Sequence, residues 1–472
     1  MAETTASFAG AVLLCFLHFG ILCENQNIKD DCIIQCNEVS RMNITEACRQ
    51  VKAASLKLAA ASADEKNRAL LRIAESLIAH RQEIFRANEE DLRRSKAEKV
   101  SFPLLKRLKF DDAKLNDVID GLHSLIKLED PVGKTLLSTE LDEGLELYKV
   151  ACPIGVIGII FESRPDALVQ ISTLCLKSGN GVLLKGGSEA KETNRILTDL
   201  IISATEEAGI PQGWCALMET RADINELLDQ DKYVDLIIPR GSNEFVRYIM
   251  DHTNIPVMGH ADGICHCFID ASADLDMAVR IAIDSKTQYV AVCNALETLL
   301  VHQDAAEDFL PRLKQAADQK NVTLCGCSKT NSIIPIAAAT EDDWKTEYLD
   351  YKLSIKVVQD IDEAISHINT YGSGHTDSIV TSDKEHAARF MSLVDSGNVF
   401  WNCSTRFSDG FKYGFGAEVG ISTGKLHARG PVGLEGLVIY KFMLIGNGQI
   451  VADYAEKRSS FTHKKLDKKF PL

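Results

Sequence analysis

Basic residues are in deficit. The 472-residue chain has 52 Lys and Arg against 67 Asp and Glu, a formal net charge of −15. That balance excludes nucleic acid as a partner, because a phosphate backbone demands a basic surface. It leaves room for small anions, which need only a local basic pocket. No C-x-x-C pair recurs at zinc spacing among the 14 cysteines, so no metal is expected. No G-x-G-x-x-G, internal repeat or low-complexity stretch occurs. The one long apolar run, Phe8 to Cys23, is short for a membrane span, and Met1 to Ser7 carries Glu3 but no Lys or Arg.

What is present is ordinary globular composition, 45% apolar and 25% charged. Residues 1–43 form a head. It is read as a poorly ordered extension, with a signal or membrane tether through residues 8–23 as the alternative. Export would allow disulfides among Cys32, Cys36 and Cys48 and a glycan on Asn43. The body is expected to be reduced and cytoplasmic. Ser62-Ala63-Asp64-Glu65 reads as a capping box. Leu70, Leu71, Ile73, Ala74, Leu77 and Ile78 then make one helical apolar face, and Leu115, Val118, Ile119, Leu122, Leu125 and Ile126 a second.

From Leu145 the texture turns to β. Val182 to Lys185 and Val234 to Ile238 read as buried strands, and a helix is expected after Ser242. Alternating strands and helices predict a parallel sheet, with ligands beyond the carboxyl ends of its strands. Lys185-Gly186-Gly187-Ser188 and Arg240-Gly241-Ser242 each follow a strand and suit a phosphate-bearing ligand. Cys293 precedes small residues and a candidate helix start, where a thiolate would gain from unpaired N–H groups. By spacing alone the buried-small-residue reading of Cys293 outweighs the nucleophilic one. Arg164, Arg406, His427 and Arg429 lie in polar loops.

Several longer segments run in order: FESRPDALVQI (161–171), SGNGVLLKGG (178–187), IPRGSN (238–243), GHADGICH (259–266), CNALETLLVH (293–302), STRFSDG (404–410) and HARGPVG (427–433). A pattern from Val358 through His367, Tyr371-Gly372-Ser373 and His375-Thr376-Asp377 accompanies them. Together they resemble the gamma-glutamyl phosphate reductases of the aldehyde dehydrogenase superfamily. The resemblance spans about residues 44–446.

It implies an α/β fold with a Rossmann-type dinucleotide-binding domain (44–260), a catalytic domain (261–430) and a small β oligomerisation arm. The arm would join residues 137–149 to 431–446, and a polar, solvated tail (447–472) would follow. The implied reaction is NADPH-dependent reduction of L-glutamyl 5-phosphate to the semialdehyde in proline biosynthesis, through a thioester on Cys293. Ser163 and the Cys293 N–H would hold the oxyanion. Lys185, Gly187, Ser188, Arg240, Gly241, Ser242 and Glu347 would bind NADPH. Arg164, Arg406, His427 and Arg429 would bind substrate, with His427 alternatively a structural hydrogen-bonding residue. His260 aligns with the glutamate that activates water in aldehyde dehydrogenases, and its presence favours reduction over oxidation. A homo-oligomer, dimer or tetramer, and a glutamate 5-kinase supplying the acyl phosphate are the implied partners. The rival readings are an NAD(P)-linked aldehyde oxidant on the same fold and a non-catalytic binding protein.

Overall fold

The computed structural model describes residues 43–471 except Ser163, Thr220, Arg221 and Ala261. The targeting expectation for residues 8–23, the disulfide partners Cys32 and Cys36, and the oxyanion role of Ser163 lie outside the described residues, whereas Asn43 is described and exposed. Cys48 is described. It is buried in the helix Ile44–Leu58 as a free thiol.

The capping box forms as expected. Ser62 Oγ accepts from Glu65 N, and Glu65 Oε2 accepts from Ser62 N, opening the helix Ala63–Ala79. Its buried face is Leu70, Ile73, Ala74 and Leu77, but Leu71 and Ile78 are exposed. The apolar stripe is therefore narrower than the sequence pattern suggested. On the helix Asp112–Lys127, Leu115, Ile119, Leu122 and Leu125 face the core.

Among the described residues of the unit Cys48–Leu472, three sheets of four or more strands set the architecture, beside a two-stranded pair of Gly420–Ser422 with Gly430–Val432. The first is parallel, with strands in the order Cys215–Met218, Gly181–Lys185, Val156–Phe161, Leu236–Arg240. Its strands are near-continuous apolar runs because helices cover both faces. The helix Pro165–Lys177 packs against it, burying Leu168, Ile171 and Leu174. The chain moves outward from Val156–Phe161, then returns to its other side with Leu236–Arg240. That reversal places Phe161 opposite Arg240 at the switch point of the sheet.

The second sheet is seven-stranded and parallel. Its centre has Leu296–His302 beside Cys265–Ile269, which lies beside Thr376–Val380. Strand Leu296–His302 replaces the helix expected just after Cys293, so that segment offers the sulfur no helix dipole. Neighbouring strands on both sides pair with the segment, and that pairing decides its conformation.

The third sheet is antiparallel: Val438–Ile445, Leu145–Pro153, Thr135–Asp142, Lys464–Leu466. The last strand shows that the tail, although exposed along most of its length, pairs with the sheet. Ser138 Oγ donates to Leu466 O at 2.9 Å, and the Phe470 ring meets Tyr148 edge-on at 5.5 Å. Backbone pairing and one aromatic anchor outweigh a Lys-rich composition. Among the described residues, no helix is long and apolar enough to cross a membrane.

Candidate active site

Cys293, His375 and His260 come from three distant parts of the chain, yet each stands just before one of three adjacent strands. They therefore meet at the amino ends of the second sheet, not beyond the carboxyl ends that the sequence argument favoured. His375 is fully buried, whereas Cys293 and His260 are partly accessible. His375 Nε2 lies 3.2 Å from Cys293 Sγ. Its Nδ1 lies 2.8 Å from Thr376 Oγ1.

The cysteine loop is held tightly. Thr405 Oγ1 donates to Asn294 O at 2.7 Å, and Asn294 Nδ2 donates to Ser408 O at 2.7 Å. Cys265 Sγ donates to Cys293 O at 3.2 Å. Gly263 passes so close that a Cβ there would lie 2.2 Å from Cys293 O and 2.4 Å from its Cα.

Burial, and then the Glu347 and Glu418 charges, push the Cys293 thiol up to about 12. Burial, and next His260, pull His375 well below its ordinary value. Burial likewise lowers His260. The resting pair is a neutral thiol beside a neutral imidazole, rather than a preformed thiolate. Nε2 is within hydrogen-bond reach of the thiol and could accept its proton.

Two guanidinium charges, those of Arg240 and Arg406, act on the sulfur. Arg240 Nη1 donates to Val419 O at 2.9 Å, and its charge acts on Cys293. Burial, and then the Arg164 charge, lower the Arg240 pKa. Arg240 thus has its charge near those of Cys293 and Glu418. Gly241 and Ser242 remain at the start of the helix Asn243–Asp251, with Ser242 as N-cap. Arg406, lowered mainly by burial, also interacts with the Cys293 charge, and its Nε donates to Gln288 Oε1 at 2.9 Å. Arg164 is exposed at the start of the helix Pro165–Lys177.

Two expected substrate contacts are engaged elsewhere. Arg429 donates to Asp395 Oδ1, Asp395 O and Thr423 O. His427 Nε2 lies 2.9 Å from Gly436 O, which favours the structural alternative for that residue.

A second, shallow cleft is lined by Gly186, Gly187, Ser188, Lys191, Asn194 and Glu219 among others. Lys185 is buried beneath it, with Nζ donating to Gly186 O. A Cβ at Gly186 would strike Asn194 Nδ2, and Asn194 Oδ1 is buried without a partner. A cradle of close backbone, two lysines and an unsatisfied amide oxygen suits a nucleotide ribose and phosphate. Glu219 opposes a phosphate there, but Arg195 pairs with it at 2.9 Å. Glu347 Oε2 accepts from Asn243 Nδ2 at 2.6 Å, so it faces the first turn after Arg240-Gly241-Ser242. His375 was visible in sequence only as part of a family pattern, and Glu418 not at all.

A four-stranded parallel sheet together with a seven-stranded one, with a cysteine and a histidine in contact at the amino ends of the latter, defines a class. The aldehyde dehydrogenase family profile matches residues 23–351 and 344–417, so the chain belongs to that family. Enzymes of this family work with nicotinamide dinucleotides. Within it, the chain groups with the gamma-glutamyl phosphate reductases, oxidoreductases of proline biosynthesis. The protein of that name from Acetivibrio thermocellus is 73% identical over 431 residues, covering 91% of this chain and all of the relative. The Pelotomaculum thermopropionicum relative is 69% identical over 91% of this chain and 99% of its own length. The crystal structure of the Thermotoga maritima reductase superposes with a TM-score of 0.85 at 42% identity, covering 86% of this chain and 99% of that one. An acetylating aldehyde dehydrogenase from Geobacillus thermoglucosidasius, 19% identical with a TM-score of 0.59 over 86% of this chain and 97% of that one, shares the fold.

Proposed function

We propose that the chain reduces L-glutamyl 5-phosphate to L-glutamate 5-semialdehyde through a thioester on Cys293, with NADPH as reductant. The 3.2 Å contact between Cys293 Sγ and His375 Nε2 carries the reading. Sulfur attacks the acyl carbon, and its proton passes to Nε2. The C–O bond to phosphate breaks, and phosphate leaves with the bonding electrons. Because phosphate is a good leaving group, little acid assistance is needed. Arg240, Arg406 and Arg164 can pair with the anions of the substrate. NADPH, when bound, supplies the hydride that reduces the thioester carbonyl. The Cys293 N–H and Ser163 remain the proposed oxyanion donors. Collapse of the resulting thiohemiacetal releases aldehyde and returns sulfur to its resting state.

His260 supports reduction over oxidation. It stands where aldehyde dehydrogenases carry the glutamate that activates water, and its Nδ1 is engaged with Ile421 O at 3.0 Å. Lys185, Lys191, Gly187 and Ser188 support a phosphorylated ribose in the smaller cleft, and Glu347 a nicotinamide ribose. We place the reaction in the cytoplasm, fed by a glutamate 5-kinase and run by a homo-oligomer. All ten described cysteines are free thiols, as a reducing compartment would keep them. The reverse assay tests the chemistry: semialdehyde, phosphate and NADP⁺ should yield NADPH with the wild type and none with Cys293→Ala. Equal rates for the two proteins would remove Cys293 from the reaction.

A further inference from the structure

The same sulfur has a second chemistry. One ligand atom each from His260, Cys293 and His375 lies within 4.8 Å of the others. The tautomers can be read from their partners. His260 Nδ1 is 3.0 Å from Ile421 O, and a carbonyl only accepts. His260 therefore carries its proton on Nδ1, leaving an Nε2 lone pair. His375 has the matching option, with Nδ1–H on Thr376 Oγ1 and the Nε2 lone pair facing Sγ. Each imidazole is oriented through Nδ1 by an oxygen, the outer-shell arrangement that fixes metal-ligating histidines.

We propose that His260, Cys293 and His375 form a three-ligand site for a divalent cation of the zinc class, which caps the nucleophile reversibly. Two imidazoles and a thiolate suit a borderline-soft ion in tetrahedral geometry. Calcium and magnesium require oxygen ligands and are disfavoured. Zinc bonds of about 2.0–2.1 Å to nitrogen and about 2.3 Å to sulfur put the donors roughly 3.3–3.8 Å apart. The 3.2 Å pair and the 4.8 Å limit bracket that spacing, so small side-chain shifts suffice. Cys293 and His260 are partly accessible, which gives the ion an entry path. On binding, the thiol loses its proton to solvent and the sulfur lone pair forms the metal bond, with no change of oxidation state. Glu347 and Glu418 favour a cation near the sulfur, whereas Arg240 and Arg406 oppose it. The site should therefore hold its ion less firmly than a four-ligand structural zinc, and a chelator should clear it.

The binding rests on geometry; the inhibition rests also on Cys293 being the nucleophile proposed above. Reduced, chelator-treated full-length protein is titrated with Co²⁺ without oxygen, then with Zn²⁺. One equivalent of Co²⁺ should produce a sulfur-to-cobalt charge-transfer band that Zn²⁺ displaces. Zn²⁺ should slow iodoacetamide modification of Cys293 more than tenfold and stop the reverse reaction, and EDTA should restore both. Cys293→Ala should lose the band. His260→Ala, at a partly exposed position, should raise half-saturating Zn²⁺ at least tenfold. A band that survives Cys293→Ala, or unchanged half-saturation in His260→Ala, would overturn the site. Coordination to Cys293 with full turnover would keep the site and instead refute Cys293 as nucleophile.

Discussion

The resting state of Cys293 is open to direct measurement. The perturbation is pH, and the probe is the rate at which iodoacetamide modifies Cys293 in the enzyme without ligands, followed by mass spectrometry of its peptide. An ordinary cysteine with a pKa of about 8.5 is roughly one-quarter thiolate at pH 8. A thiol pushed up to about 12 is ionised only to about one part in 10⁴ there. The rarer thiolate is the stronger nucleophile. A Brønsted slope of about 0.4–0.5 over some 3.5 pKa units returns roughly 25- to 55-fold. The net expectation is modification about 50- to 100-fold slower than that of a free cysteine at pH 8. The logarithm of the rate should climb with unit slope from pH 7 to beyond pH 10. A plateau below pH 9 would refute the argument, because it would mean a stabilised thiolate–imidazolium pair at rest. The proton would then already sit on His375, and the desolvation that dominates both groups would have been misjudged.

Four further measurements follow from the geometry. Cys293→Ala should lower turnover by at least about 10³-fold while leaving NADPH affinity nearly unchanged in a fluorescence titration; equal loss of cofactor affinity would make Cys293 mainly structural. Lys185→Ala should weaken NADPH about tenfold more than NADH, since a charge-assisted contact is worth about 1.5–3 kcal/mol; an unchanged preference would take Lys185 out of the phosphate contact. Gly263→Ala should displace the Cys293 backbone, costing about 1–3 kcal/mol in urea denaturation and on the order of 10²-fold in kcat/KM. His367, held down to about 3 mainly by burial, stays neutral in the fold while the unfolded chain takes up a proton. Its depressed pKa stabilises the fold above about pH 6.5, and that contribution is lost as pH falls toward 3, amounting to about 2 kcal/mol by pH 5. The urea midpoint of His367→Gln should fall less steeply over that window than that of the wild type.

Local signals were the ones that sequence carried well. The capping box at Ser62 and the strand Gly181–Lys185 depend on neighbours a few residues away. The helix expected after Cys293 failed because Leu296–His302 is flanked by two strands that pair with it, which no local window reveals. The loss of Leu71 and Ile78 from the buried face has the same character, since the width of a stripe depends on what packs against it. At the site, Cys293 and the glycines after Lys185 stood out through residue type and context. His375 did not, because its importance lies in a contact that spans 82 positions of chain. Arg240 was legible as a strand-end cation, but the direction of a long side chain depends on Val419 and Glu418, brought near by a distant loop.

The antiparallel sheet has unequal borders. One ends in the three-residue strand Lys464–Leu466, too brief and too cationic to template a neighbour. The other is the eight-residue strand Val438–Ile445, with Tyr440, Phe442 and Leu444 in solvent. A ribbon that can be extended from only one border cannot grow without limit. Two such ribbons joined along the long border would leave only blunt ends on this sheet, so pairing of that border with its own copy would close on itself.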